Sequence, residues 1–455
     1  MAPQQPGAPT LEQFGYKQEL NRALSTRDLI VHGMIFMGPI APFAVFGFVW
    51  NDARGMVALA YLIGLLGMSF TAMSYAEMSR AFPMAGSVYS YVQRGLHETA
   101  GFFSGWLILL DYILVPALCY VFAVLALRPL LPQVPDRAWI VVFVTLNALI
   151  NLRGVQLGAR VNRGILLVAV ATLGLFIVLG LRALYAGPGA AGLTLRPVYD
   201  PAAFSLATVA AATSTAVLSF LGFDAVSTLA EENRDGRNAV GRATLWSLVL
   251  VGLLFIVQTW IAADLARGMH LHTETAFYEV AERVGGVWLR DLALLAIVLA
   301  SLANALAGQS AISRILFSMA RDGKLPAVLA RVHPRYRTPH VSTLVVAVVS
   351  LLVCLFFARR AEDLSRVVNF GALTGFLMLQ LAVINYYLIR GRSKDWLRHL
   401  LVPLGGLVVI GYVLYQMDSA AKIMGACWIA AGVLYYLGLT AVLRKPPALE
   451  ISERS

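Results

Sequence analysis

Apolar runs of about twenty residues recur along nearly the whole chain, and that length spans a hydrocarbon core at helical rise. Backbone in lipid must satisfy its own hydrogen bonds, so the runs read as helices. A closed barrel would need shorter strands of alternating polarity. Of 455 residues, 59% are hydrophobic and only 13% charged, whereas a water-soluble domain carries about a quarter charged residues. The expected fold class is therefore all-α and polytopic, with twelve transmembrane helices. Their approximate spans are 29–50, 55–75, 101–127, 138–152, 164–185, 204–230, 242–263, 290–318, 340–357, 367–389, 400–416 and 423–443. Residues 1–28 and 446–455 read as cytoplasmic tails flanking one transporter domain, 29–445. No soluble domain, signal peptide or internal linker is expected.

The net charge of +11 is read as topology rather than as a nucleic-acid surface. With twelve spans and both termini on one side, that side collects 23 of the 36 basic residues. The bias places both termini in the cytoplasm of a bacterial inner-membrane protein. The three cysteines, Cys119, Cys354 and Cys427, lie inside apolar runs with no disulfide or metal spacing. No metal, cofactor or enzyme site is expected.

Two spans carry helix-breaking signals. The first reads Met34-Ile-Phe-Met-Gly38-Pro39-Ile-Ala41-Pro42, and two prolines three apart strip hydrogen bonds from its centre. The sixth contains Ser219-Phe220-Leu-Gly222-Phe223-Asp224 and ends on Glu231-Glu232. Interrupted helices at matching places in two halves point to an inverted-repeat transporter with its substrate site between the breaks. The expected architecture is two five-helix repeats, helices 1–5 and 6–10, plus two C-terminal helices. Each in-membrane acid needs a reason, because a central carboxylate costs about 2.5–3.5 kcal/mol on insertion scales. Asp111 sits within Trp106-Leu-Ile-Leu-Leu-Asp-Tyr112-Ile-Leu-Val-Pro116. It reads either as a counter-ion for a cationic substrate or proton, or as a structural acid bonded to a broken helix. Asp224 has the same two readings. Glu231 and Glu232 read as a gate, paired with Arg80 or Arg153, and Glu77 with Arg80 as a loop ion pair. Tyr112, Phe220 and Phe223 could enclose a cation by ring contacts, each about 0.5–2 kcal/mol.

These residues resemble a known family. Ser219-Phe-Leu-Gly-Phe-Asp-Ala-Val-Ser-Thr-Leu-Ala-Glu-Glu232 looks like the sixth-helix signature of the amino acid–polyamine–organocation superfamily. Tyr75 to Tyr91, Ser313 to Pro326, His333 to Pro339 and Asn369-Phe-Gly-Ala-Leu373 resemble its other motifs. Within it, Gly105-Trp-Leu-Ile-Leu-Leu-Asp-Tyr112 is most similar to bacterial putrescine importers. The resemblance implies a LeuT-type fold, alternating access, and Tyr112 as a substrate residue with Phe220 as a gate. Ala44 stands near where those importers carry an aspartate. Leu166 to Thr172 lacks the fifth-helix lysine of some proton-coupled members. The substrate-site expectation covers Gly38, Pro39, Ala41, Pro42, Asp111, Tyr112, Ser219, Phe220, Gly222, Phe223 and Asp224. Its partners would be a small amine such as putrescine, or an amino acid, together with membrane lipid and a candidate coupling proton. A transporter-like sensor and an exchanger share the same fold and stay open.

Overall fold

In the computed structural model, the described residues are 22–443 except 85, 154, 187–191, 335, 337 and 358–359; the side chains of 155–162 and 442–443 also lie outside them. Most of both expected tails, and the loop arginines at 335 and 337, therefore fall outside the described residues. The described residues are all-helical, with one isolated bridge among them between Leu24 and Asn233. Ten helices among the described residues are long and apolar enough to cross a bilayer, or eleven with the bent first pair. Helix α6 (Asp136–Arg153) occupies the place of the expected fourth span. It stands outside the eleven because Asp136, Arg137 and Arg153 put three charges into its 18 residues.

Both expected breaks are present. The first span consists of α1 (Thr26–Met37) and α2 (Pro42–Ala53), bent by 55°. Ser25 and Asp28 start α1 with reciprocal side-chain-to-backbone bonds. Gly38 ends it at φ 69°, and Pro39 and Pro42 cannot donate the next helical bonds. The sixth span begins as α8 (Leu206–Ala216) and tightens to a 3-10 turn over Val217–Phe220. It turns at Gly222, φ 111°, and continues as a 3-10 segment over Phe223–Glu232.

The breaks touch backbone to backbone. A Cβ on Gly222 would sit 2.7 Å from the Phe36 carbonyl oxygen. Neighbouring helices supply donors to the carbonyls freed there, as irregular backbone at this depth requires. From α9 (Ala239–Leu265), Gln258 donates to the Pro39 carbonyl at 2.9 Å. From α11 (Val287–Arg321), Asn304 donates to the Phe36 carbonyl.

The packing follows the repeat. The second span, α3 (Val57–Ala81), lies on α9, the seventh. The third, α5 (Glu98–Leu127), lies on α11, the eighth. Each half also inserts a short helix between its second and third spans: α4 (Ser87–Gly95) and α10 (Ala276–Gly285). Neither was expected, because both are too short and too polar to register as spans. The fifth and ninth spans are α7 (Val155–Ala186) and α12 (His340–Phe357). The tenth, α13 (Ala361–Val383), packs on α5 and α3. Helices α14 (Val402–Gln416) and α15 (Ser419–Leu443) lie outside the repeats against α13. Between α11 and α12, the described residues form one short 3-10 turn at Ala327–Ala330.

Gly222→Ala should lower the thermal unfolding midpoint by several degrees, because a non-glycine residue at positive φ costs about 1–3 kcal/mol before any clash. Gly174→Ala, with nothing within 4 Å of the added Cβ, should leave the midpoint unchanged or raise it.

Candidate functional site

Where the two breaks meet they leave a small cavity of about 70 Å³. Gly38, Ala41 and Ala44 form one wall, and Leu218, Ser219 and Leu221 a second. Helices α5 and α11 close it with Cys119, Phe122, Ser301 and Asn304 among others. Three of the expected residues, Gly38, Ala41 and Ser219, therefore share this cavity. Ser219 is held by a 3.0 Å hydrogen bond to the Tyr61 hydroxyl. Pro39 and Pro42 shape the break without lining the cavity, and Gly222 is spent on the close approach to Phe36.

A second group of expected residues gathers beside the sixth-span break. The Tyr112 hydroxyl donates to Asp224 Oδ2 at 2.6 Å, joining the third span to the sixth. Asp111, one residue earlier on α5, is 2% exposed. Each carboxyl keeps one oxygen with no hydrogen-bond partner, and neither has an ion-pair partner among the described residues. Aromatic rings pack around this region. Tyr75 lies 5.8 Å from Tyr91, 6.0 Å from Phe223 and 6.0 Å from Phe376 between ring centres. Phe223 and Phe376 are 5.5 Å apart.

Phe220 lies elsewhere than the gate expectation placed it. Its ring fits between Gly64 and Gly252 and meets Phe255 at 5.1 Å and Tyr61 at 6.0 Å. It is thus wedged between α3 and α9 and absent from the cavity wall.

The acidic end of the sixth span is paired, but not with the expected arginines. Arg314 reaches Glu232 at 2.9 Å and Arg321 reaches Glu231 at 4.0 Å. Both come from α11, which packs beside this segment, while Arg153 closes the more distant α6. Arg80 instead pairs with Glu77 at 3.2 Å within α3, so that pair is helical rather than in a loop. The chain before α1 adds a strap: the Leu24 amide donates to the Glu232 carbonyl, and the Arg234 amide to the Leu24 carbonyl, both at 2.9 Å.

Sequence reading missed Tyr75, Tyr91, Phe376, Gln258 and Asn304. The amides had a usable signal, each being a carboxamide inside an apolar run: Gln258 alone in its span, Asn304 with Gln309 in its own. The aromatics had none, since rings in membrane helices are mostly packing residues.

Interrupted helices meeting at a cavity between the first and sixth spans, in two inverted repeats, define a multi-pass membrane permease. The amino acid permease family model matches residues 29–442, nearly the whole chain. The low-affinity putrescine importer PlaP of Escherichia coli is 30% identical over 438 residues, covering 94% of this chain and 96% of that protein. The methylthioribose transporter of Bacillus subtilis is 25% identical, covering 94% and 95%. The branched-chain amino acid permease BcaP of the same organism is 24% identical, covering 92% and 93%. The chain belongs to the amino acid permease family. It is a transporter of amino acids, polyamines or related small molecules, and not an enzyme.

Breaking the Arg314–Glu232 pair should be costly, because one partner removed leaves a largely buried charge uncompensated at about 3–5 kcal/mol. Arg314→Glu should lower the unfolding midpoint sharply, and adding Glu232→Arg should recover part of the loss.

Proposed function

We propose that this permease imports a small organic amine, with a diamine such as putrescine as the first candidate. The observation that carries the reading is the buried pair Asp111 and Asp224, each with a free carboxylate oxygen. Ionised carboxylates in a low-dielectric interior need a cation, and an alkylammonium satisfies both charge and hydrogen bonding. Tyr112 orients Asp224, and the rings of Tyr75, Phe223 and Phe376 suit the methylene chain and the ammonium ends.

The first-span break favours the same substrate. A carboxylate ligand would need free amides there. The Gly38 amide is bonded to the Met34 carbonyl and the Ala41 amide to the Gly38 carbonyl, and Pro39 has none, which leaves the Ile40 amide as a single open donor there. The putrescine importer among the relatives points the same way.

In this reading both termini face the cytoplasm, following the basic-residue bias, and the protein lies in the bacterial cytoplasmic membrane. Import of a dication then gains about 4.6 kcal/mol per 100 mV, enough for accumulation of roughly three orders of magnitude without a coupled ion. During transport the paired acids Glu231 and Glu232 release Arg321 and Arg314 to open the cytoplasmic side.

A second reading, import of an aliphatic amino acid, draws on the cavity. Met37, Val115, Leu118, Phe122 and Ile297 give it a largely apolar wall, and branched-chain permeases are among the relatives.

Uptake by proteoliposomes of the purified chain, with labelled putrescine and labelled leucine, separates the readings. Putrescine accumulation driven by an inside-negative potential supports the amine; leucine uptake that putrescine does not inhibit overturns it. Asp224→Asn and Asp111→Asn should each weaken putrescine binding about tenfold to a hundredfold, the worth of one charge-assisted hydrogen bond. Tyr112→Phe should weaken it less, since the charge remains.

A further inference from the structure

The turn that joins the tenth and eleventh spans has a rare backbone. Past Val383, α13 continues over Ile384–Arg390 as a π-helical segment, and α14 is entered through a second one over Leu397–Leu401. Wide turns of this kind occur mostly at functional positions. The turn lies on the same face as the N-terminal end of α1. The Tyr387 hydroxyl donates to the Glu77 carbonyl at 2.9 Å, Arg237 donates to the Arg80 carbonyl at 3.0 Å, and the Thr26 amide donates to Asp235 at 2.7 Å. Arg390 donates to the carbonyls of Arg94 and Leu96, and Asn385 to that of Gly95, so the turn caps α4.

From Arg390 to Arg398 the turn carries four cations, Arg390, Arg392, Lys394 and Arg398, against one acid, Asp395. Asp395 is matched by Arg398 at 3.5 Å. Arg392 and Lys394 are exposed and have no anionic partner among the described residues. Arg80, Arg163 and Arg314 on this face each have a carboxylate. A charge bias set by topology requires cations on one side of the membrane; it does not require two of them to stand unpaired at one turn.

Arg392 supplies an independent observation. The Gly391 amide bonds the Tyr386 carbonyl and the Ser393 amide the Tyr387 carbonyl, which closes the helix end, and Arg392 between them has φ 46°. Glycine is the usual residue at such a position, because a Cβ is penalised there. The chain keeps a guanidinium where the backbone favours no side chain. Around it Ile389, Trp396, Leu397 and Leu401 are exposed. Unpaired cations bordered by an indole and aliphatic side chains match a partner with an anionic head and an apolar body.

We propose that the α13–α14 turn is a binding site for an anionic phospholipid, its phosphate held by Arg392 and Lys394 and its acyl chains lying on Trp396, Leu397 and Leu401. Because the turn caps α4, and α4 packs on the 3-10 half of the sixth span, lipid bound here stabilises the folded chain through that half.

The test uses the purified full-length protein in neutral detergent and follows the thermal unfolding midpoint as phosphatidylglycerol is added. Phosphatidylcholine is the zwitterionic control and glycerol 3-phosphate the soluble headgroup. Phosphatidylglycerol should raise the midpoint saturably, phosphatidylcholine should not, and glycerol 3-phosphate should not compete. Arg392→Gly relieves the positive φ, so its midpoint without lipid should be unchanged or raised, yet its affinity for phosphatidylglycerol should fall about fivefold. Lys394→Gln should lose about as much, and the double variant more than either. Arg242→Gln, an exposed cation at the start of α9 on the same face, should bind like wild type. Four results would each overturn the site: no preference for phosphatidylglycerol in wild type, full affinity in the double variant, an equal loss in Arg242→Gln, or displacement by glycerol 3-phosphate.

Discussion

The contact between Gly222 and the Phe36 carbonyl is the constraint on which the rest of the molecule depends. Two unwound backbones can lie this close only where one of them has no side chain. Bringing them together concentrates unsatisfied carbonyls at mid-depth, where water cannot serve them. The chain answers with carboxamides placed on the surrounding helices. Gln258 bonds the Pro39 carbonyl, Asn304 the Phe36 carbonyl and Asn369 the Ser214 carbonyl. Two of these three amides come from the seventh and eighth spans and reach the first. The halves of the repeat are thereby stitched through their breaks as well as through apolar packing.

From that junction the chemistry divides by depth. The cavity directly at the breaks is mostly apolar, with Ser219, Ser301 and Asn304 as its polar points. The acids stand aside from it, Asp224 just past the sixth-span turn and Asp111 across from it on α5. Tyr112 connects them to the same structural unit, because its hydrogen bond to Asp224 ties the third span to the sixth. A change in the sixth span is therefore felt on α5 directly. Both ends of the pathway are charged in complementary ways. The N-terminal side is closed by arginines of α11 on the glutamates of the sixth span, and the opposite side presents the carboxylates Asp52, Glu362 and Asp418 against Arg366.

Much of this was legible before any coordinates. Proline has no amide hydrogen, so Gly38-Pro39 and Pro42 announce a break wherever they fall in an apolar run. Asp111 and Asp224 announce themselves by cost alone. The pairing of Glu231 and Glu232 was foreseeable in kind, since buried carboxylates demand cations. It was not foreseeable in partner. Arg314 and Arg321 lie two turns apart on a helix, more than eighty residues from the glutamates in sequence, whereas the expectation fell on Arg80 or Arg153. Phe220 shows the same limit: a ring beside a break can face a substrate or wedge between two glycines.

The sequence by itself determined the membrane-spanning helices, the positions of the two interruptions and the presence of in-membrane acids. Each follows from properties local to a few residues: apolar length, a missing amide hydrogen, the desolvation of a charge. Only the tertiary structure decided which groups those features meet. It set Gly222 against Phe36, aimed Tyr112 at Asp224, assigned α11 rather than α3 to the acidic gate, and opened a cavity on the opposite side where four separate spans converge. Such choices rest on contacts between segments far apart in the chain, and crossing geometry rather than local chemistry selects among the partners each residue would accept.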